Sequence, residues 1–404
     1  MSVDAEFEQF HRLLKEHPEI SMENMFAKMS AGILDWQTKR VNLGLIGSKR
    51  QGKKTLIHSM FGLPNAEEPD KGHDLHHHHH HHHEKIDHPV SYIHPENQNI
   101  KLWCLPRADD ERNVDTYTRR VERTVESLDA YLVLIPSTLN TELKYLLTCL
   151  KKLNGDQKPV YFVKTKIDST ISKKVKSTRP SNEVKRRVRE NLLTEIQGLG
   201  LKRKPINLFL VNSKDPSSHD FSGLMQKITT DLPHGEIRTA WTISLRAWRG
   251  NAVAEEKFKI MEERVGKIAF NAAFCEQFQG NLNKQLPQVY TDELVLYAQC
   301  FRLRSEDIEQ IGELKREEKD HVTNFIVNEV EKRSKDLHYA LAGKKWKLSL
   351  EKVIAWQNTS VSRIVEENSF TKKNVSIFEH FLKEALLCAK DVSIRTMEKI
   401  ASSV

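Results

Sequence analysis

Val41-Asn42-Leu43-Gly44-Leu45-Ile46, then Gly47-Ser48-Lys49-Arg50-Gln51-Gly52-Lys53-Lys54-Thr55, then Leu56-Ile57-His58-Ser59-Met60, is the stretch whose reading decides the fold. The first six residues are mostly apolar without strict polar alternation, which predicts a strand covered on both faces. The next nine nearly match GxxxxGK[ST], a loop whose backbone amides fold round a phosphate at a helix N-terminus. Glycines permit that turn and a lysine reaches the β and γ phosphates, roles that Gly47, Gly52 and Lys53 fit. Lys54 stands at the hydroxyl position, with Thr55 one residue too late to replace it in the same register. The phosphate-binding candidates are therefore Gly47, Gly52, Lys53, Lys54 and Thr55.

Working outward, short apolar runs alternate with helical stretches. Ile100–Leu105, Ala130–Ile135, Val160–Val163 and Asn207–Val211 read as strands. Helices are expected from Lys53, from near Asn113, over Leu143–Leu153 and over Phe221–Leu232. Strands separated by helices predict a mostly parallel sheet with helices on both faces. Ahead of it, Phe7, Phe10, Leu13 and Leu14 are helically spaced, Pro18 interrupts, and Ser21 with Asn24 offers a fresh start. Beyond Pro233 strand signals stop and the chain is charged and helically periodic. The fold class expected is an α/β P-loop domain plus an all-α domain formed by the C-terminal half and the N-terminal helices. The boundaries drawn are 1–40, 41–235 and 236–404.

After the fourth strand comes Thr165-Lys166-Ile167-Asp168. This is the [NT]KxD arrangement, in which a carboxylate accepts from guanine N1–H and the 2-amino group while the lysine stem covers the base. An alternative use of Asp168 is a helix N-cap. After the last strand, Asn212-Ser213-Lys214 falls where guanine-binding loops place a Ser and a Lys. The base-side candidates are Thr165, Lys166, Asp168, Ser213 and Lys214. No catalytic residue and no metal ligand is assigned.

With those residues in order, the chain resembles the immunity-related, interferon-inducible GTPases, dynamin-like defence proteins of about this length. Supporting residues are Val160-Tyr161-Phe162-Val163 before T-K-I-D, and Leu102-Trp103-Cys104-Leu105-Pro106 at the third motif. Asp220-Phe221 with Leu224, leading to Asp231-Leu232-Pro233, adds to them. The likeness covers Met22 to Pro233; the remainder matches in length and helical character. It implies a short N-terminal helical piece, a P-loop G domain that binds GTP or GDP, and a C-terminal helical domain. It also implies cell-autonomous defence through self-assembly into homo-oligomers or with related GTPases, protein partners, or peripheral contact with intracellular membranes.

The departures bear on the same chemistry. In the family the third motif reads W-D-L-P-G, where the acid anchors the Mg²⁺ shell and the glycine amide senses the γ phosphate. Here Cys104 and Arg107 stand at those positions, and Lys54 removes the other protein anchor. A thiol is a poor ligand for a hard cation. Losing both anchors is expected to cost roughly three or more decades in hydrolysis rate. Three readings stay open: a guanine-nucleotide binder with weak or absent hydrolysis, a slow GTPase completed by oligomerisation, and a nucleotide-free scaffold.

Composition sets the outer limits. The 404 residues are 38% hydrophobic and 29% charged, which is ordinary for globular chains. No run of about 18 apolar residues occurs, and Met1–Phe10 carries acids, so neither a membrane span nor a secretory signal is expected. Five scattered cysteines without a CxxC pair point to a reducing, cytoplasmic setting. The net charge is +8, and the segment from Lys173 to Lys204 alone supplies it, with eleven basic residues against Glu183, Glu190 and Glu195. Val184, Val188, Leu192 and Ile196 recur there at helical spacing, which predicts a solvated surface helix; the other reading is an anion-attracting patch. No nucleic-acid module accompanies it. The run His76–His83 reads as an inserted loop or a tag. Lys344 to Trp356, lysines with two tryptophans, reads as a core helix with a solvated face or a membrane-surface segment.

Overall fold

The computed structural model describes residues 2–48, 51–63, 88–106, 114–136, 139, 141–153, 158–175, 181–199, 205–233, 235–245, 251–278, 287–309, 315–342, 361 and 370–403. Lys49, Arg50, Arg107, the run His76–His83 and the segment Lys344 to Trp356 lie outside them. Two compact units emerge: Lys39–Arg249, and Met1–Thr38 with Gly250–Val404.

The first unit is an α/β layer structure. Its strands are β1 (Val41–Ile46), β2 (Val90–His94), β3 (Asn97–Cys104), β4 (Ala130–Leu134), β5 (Val160–Lys164) and β6 (Asn207–Leu210). They form one sheet in the order β2-β3-β1-β4-β5-β6. All neighbours run parallel except β2 against β3. Parallel strands need crossovers, and the helices supply them. These are α3 (Lys53–Phe61), α4 (Val114–Ser127), α5 (Thr141–Lys152), α6 (Ile167–Val175), α7 (Ser181–Gln197), α8 (Phe221–Asp231) and α9 (Glu236–Ser244), with α1 (Val3–Glu16) and α2 (Met22–Leu34) preceding β1 in the chain. Side chains alternate across the sheet. Tyr131, Val133, Phe162 and Leu208 point to one face, where Val121 and Val125 of α4, Leu143 and Leu146 of α5, and Val184, Val188, Leu192 and Ile196 of α7 cover them. On the opposite face, the Tyr161 hydroxyl donates to Asp231 of α8 at 2.9 Å. Burial on both faces explains why these strands read as continuous apolar runs.

β2 was not expected from sequence. It is a five-residue edge strand with Val90 and Ile93 exposed and a register shift at Ile93/His94. An antiparallel edge carries little of the apolar signal that marks a central strand. The turn that makes it is legible afterwards: His94-Pro95-Glu96, where His94 Nδ1 accepts from the Glu96 amide at 3.1 Å. At the far end, α9 belongs with the sheet unit. Arg238 donates to the carbonyls of Thr230 and Leu232 at 2.9 and 3.0 Å, satisfying the last turn of α8.

The second unit is all-α among its described residues. It contains α1 (Val3–Glu16), α2 (Met22–Leu34), α10 (Asn251–Phe278), α11 (Gln288–Cys300), α12 (Ser305–Glu309), α13 (Arg316–Ala342) and α14 (Lys372–Ser403). Ser21 caps α2 by accepting from the Asn24 amide at 3.3 Å, the restart that the sequence offers after Pro18. The core is aromatic: Phe7 and Phe10 of α1 pack on Phe270 at ring separations of 4.9 and 5.2 Å, and Phe274 meets Phe278 at 4.7 Å. Arg264 and Glu293 form a buried two-bond pair at 3.1 and 3.0 Å, holding α10 to α11. No described helix is long and apolar enough to cross a membrane.

Candidate functional site

Because β1, β3, β4, β5 and β6 run parallel, the loops after them open on one edge of the sheet, where ligands of open α/β sheets bind. The loop after β1 turns at Gly47. A Cβ there would stand 2.9 Å from Leu134 Cβ and 3.1 Å from the Leu134 carbonyl, so the backbone passes β4 more closely than any side chain allows. Gly52 takes φ +77° and ψ 26° in front of α3 and makes no side-chain cap. Gly52 thus offers no side-chain acceptor to the first turn of α3, the end of a helix at which anions bind. Lys53 folds back so that its ammonium donates to the carbonyls of Gly47 and Ser48, the latter at 3.1 Å. The lysine therefore sits inside the loop it would serve. Thr55 is half-buried and Lys54 is exposed.

The loop after β5 meets this one directly. Thr165 Oγ1 donates to the Gln51 carbonyl at 2.7 Å. A Cβ on Gly52 would lie 3.7 Å from Thr165 Oγ1 and 3.8 Å from Lys166 Cε. Lys166 itself has φ 55°, the left-handed region, as the chain turns into α6. Asp168 lies in the first turn of α6 rather than at its cap, and its Oδ1 is 2.8 Å from His219 Nε2. The loop after β6 is tied in as well. The single hydroxyl proton of Ser59 of α3 is shared between the Ser213 carbonyl and, at 2.9 Å, the Thr55 carbonyl. Ser213 Oγ is buried and has no hydrogen-bond partner among the described residues. Lys214 is exposed, its amide held by Asn212 Oδ1 at 3.0 Å.

Gly47, Gly52, Lys53, Thr165 and Lys166 are thus brought together, with Asp168 and Ser213 on adjoining loops. Cys104 ends β3 opposite Leu45 of β1 and is 1% exposed. Burial pushes its thiol up to about 11, against the opposing pull of the Lys53 and Lys54 ammonium groups. It is therefore a neutral thiol at physiological pH. Residues that sequence reasoning missed are Gln51, Ser59 and His219. The one available hint was that His219 immediately precedes Asp220-Phe221.

The basic segment resolves differently from an open anion patch over its described part. On α7, Arg186 pairs with Glu190 and Arg187 with Glu183, each at 2.7 Å. Lys185 and Arg189 both engage Asp220. Helical i,i+4 partners and a shared carboxylate account for all four cations.

Comparison with known proteins follows the same lines. The interferon-inducible GTPase family matches residues 8–390. Interferon-inducible GTPase 5 of Bos taurus is 26% identical over 309 residues, 72% of this chain and 61% of that protein. Interferon-inducible GTPase 1 of Mus musculus is 26% identical over 236 residues, 57% of this chain and 53% of that protein. The match spans about three fifths of the length of the bovine relative. Among solved structures, translation elongation factor SelB of Methanococcus maripaludis in its apo form is 17% identical, covering 48% of this chain and 33% of that chain with a TM-score of 0.29.

Proposed function

The chain belongs to the interferon-inducible GTPase family, and on that premise we propose that it binds GTP or GDP between the loop Gly47–Thr55 and the loop Thr165–Asp168, with weak or absent hydrolysis. The observation that carries the reading is the 2.7 Å bond from Thr165 Oγ1 to the Gln51 carbonyl. It seats a loop of phosphate-binding chemistry beside a loop of base-reading chemistry. Lys53 and the start of α3 would hold the phosphates. Lys166 would cover the base, and Asp168 would accept from its N1–H and 2-amino group. Ser213 and Lys214 would close the rim.

The donors at the cation position do not fit magnesium. A hard, octahedral ion takes oxygen ligands, whereas Lys54 offers an exposed ammonium and Cys104 a buried neutral thiol. Lys53 and Lys54 instead supply positive charge near the phosphates, so binding should depend little on Mg²⁺. Without the cation that neutralises developing charge, hydrolysis falls by roughly three decades or more. In this reading the protein acts in cell-autonomous defence through contacts with copies of itself, related GTPases, protein partners or a membrane surface.

The test is titration with fluorescent GDP and GTP, with and without Mg²⁺, beside a single-turnover hydrolysis assay. The expected result is saturable binding of both nucleotides with little Mg²⁺ dependence and no turnover above background. Mg²⁺-dependent turnover would replace this reading with that of an active GTPase, and absence of binding would leave a scaffold.

A further inference from the structure

The candidate base-side carboxylate has a partner outside both the T-K-I-D and the N-S-K stretches. Asp168 is half-exposed and sits in the first turn of α6, where an aspartate side chain rotates broadly about its terminal torsion unless something holds it. His219 Nε2 lies 2.8 Å from Asp168 Oδ1, and the imidazole is only 19% exposed. An ionised carboxylate only accepts, so Nε2 carries the proton and donates.

The segment around His219 is braced from the other side. Asp220 Oδ2 accepts from the Leu210 amide at 2.8 Å, and its carboxylate takes Lys185 at 3.0 Å and Arg189. His219 has φ +53°, a left-handed backbone that histidine, asparagine and aspartate adopt more readily than other side chains. The two consecutive side chains are thereby anchored to different helices, His219 to α6 and Asp220 to α7. The basic residues of α7 buttress the strut that ends on Asp168.

We propose that His219 is a positioning residue for base recognition: its imidazole fixes the Asp168 carboxylate so that both oxygens face the two donors of guanine. The inference rests on Asp168 being the base reader. Lone-pair arithmetic permits it, since a carboxylate offers about four acceptor sites, the imidazole takes one and guanine needs two. Guanine profits more than hypoxanthine, because only guanine has the second donor that requires a fixed carboxylate plane.

The test uses the full chain with fluorescent GDP and IDP. His219→Asn tolerates the left-handed backbone yet is too short to reach Asp168, whereas His219→Gln places an amide N–H at about the reach of Nε2. The Asn variant is expected to bind GDP about tenfold more weakly, with a narrowed GDP-to-IDP ratio. The Gln variant is expected to recover both, and thermal melting of the two variants to match. A GDP affinity and ratio unchanged in the Asn variant, or a tighter GDP affinity, overturns the proposal while leaving the nucleotide site standing. A wild-type chain that binds neither nucleotide overturns the site itself.

Discussion

Gly47 is the residue on which the loop geometry turns most sharply. Its missing Cβ would meet Leu134 Cβ at 2.9 Å and a backbone carbonyl at 3.1 Å, neither able to swing aside. Gly47→Ala is therefore expected to cost about 1–3 kcal/mol in denaturant unfolding and to abolish nucleotide binding. Cys104 is inert for the opposite reason, being packed rather than crowded. Its folded pKa, about 11, exceeds the ordinary 9.0. The contribution of its neutral form to stability is thus full below 9.0 and is lost as pH rises through about 11. In the native protein at pH 8, a thiol reagent is expected to leave Cys104 unlabelled and to modify it only on unfolding, read by mass spectrometry. The sequence disclosed both residues because each sits in a motif of fixed spacing. It hid His219, whose role depends on a contact across 51 positions that no local pattern encodes.

Elements were legible in proportion to how completely they are buried. β1, β4 and β5 carry 0% exposed residues such as Leu43, Leu132 and Val163, so an unbroken apolar run announced them. β2, half in solvent, did not announce itself. α7 could be read as a helix from Val184, Val188, Leu192 and Ile196, but its cations left two readings open until their partners were known. Asp220 joins α7 to β6 and starts α8. Burial alone would raise its pKa, but the Leu210 amide, Lys185 and Arg189 together outweigh that and hold it below the ordinary 3.8. A depressed carboxylate stabilises the fold above its unfolded pKa and loses that contribution as pH falls. Asp220→Asn is expected to lower stability by about 1–3 kcal/mol at pH 7, since charge-assisted bonds to partly exposed cations are lost. The gap should close below pH 3.8, as urea titrations at both pH values would report.

At the scale of the molecule, the chain is two units with separate cores, one built on a sheet and one on phenylalanines packed edge-on and tilted. A fragment covering 39–249 is expected to fold alone with a cooperative melt and to bind GDP as the full chain does. The helical unit carries its own pH signature. Glu276 is half-buried, and that partial burial raises its carboxyl above the ordinary 4.5, so its neutral form favours the fold below that value and the benefit fades as pH rises. Glu276→Gln is expected to raise the melting temperature at pH 8 and to change it little at pH 4.

The base-exchange titration of Asp168→Asn bears most directly on the central claim, that guanine is read on the loop tied to Gly47–Thr55. Replacing the carboxylate by an amide exchanges one acceptor for a donor, which suits the 2-oxo group of xanthine rather than the 2-amino group of guanine. The account predicts that the variant loses GDP and gains XDP, with its melting curve unchanged. A variant that holds GDP as tightly as the parent chain and ignores XDP would contradict it.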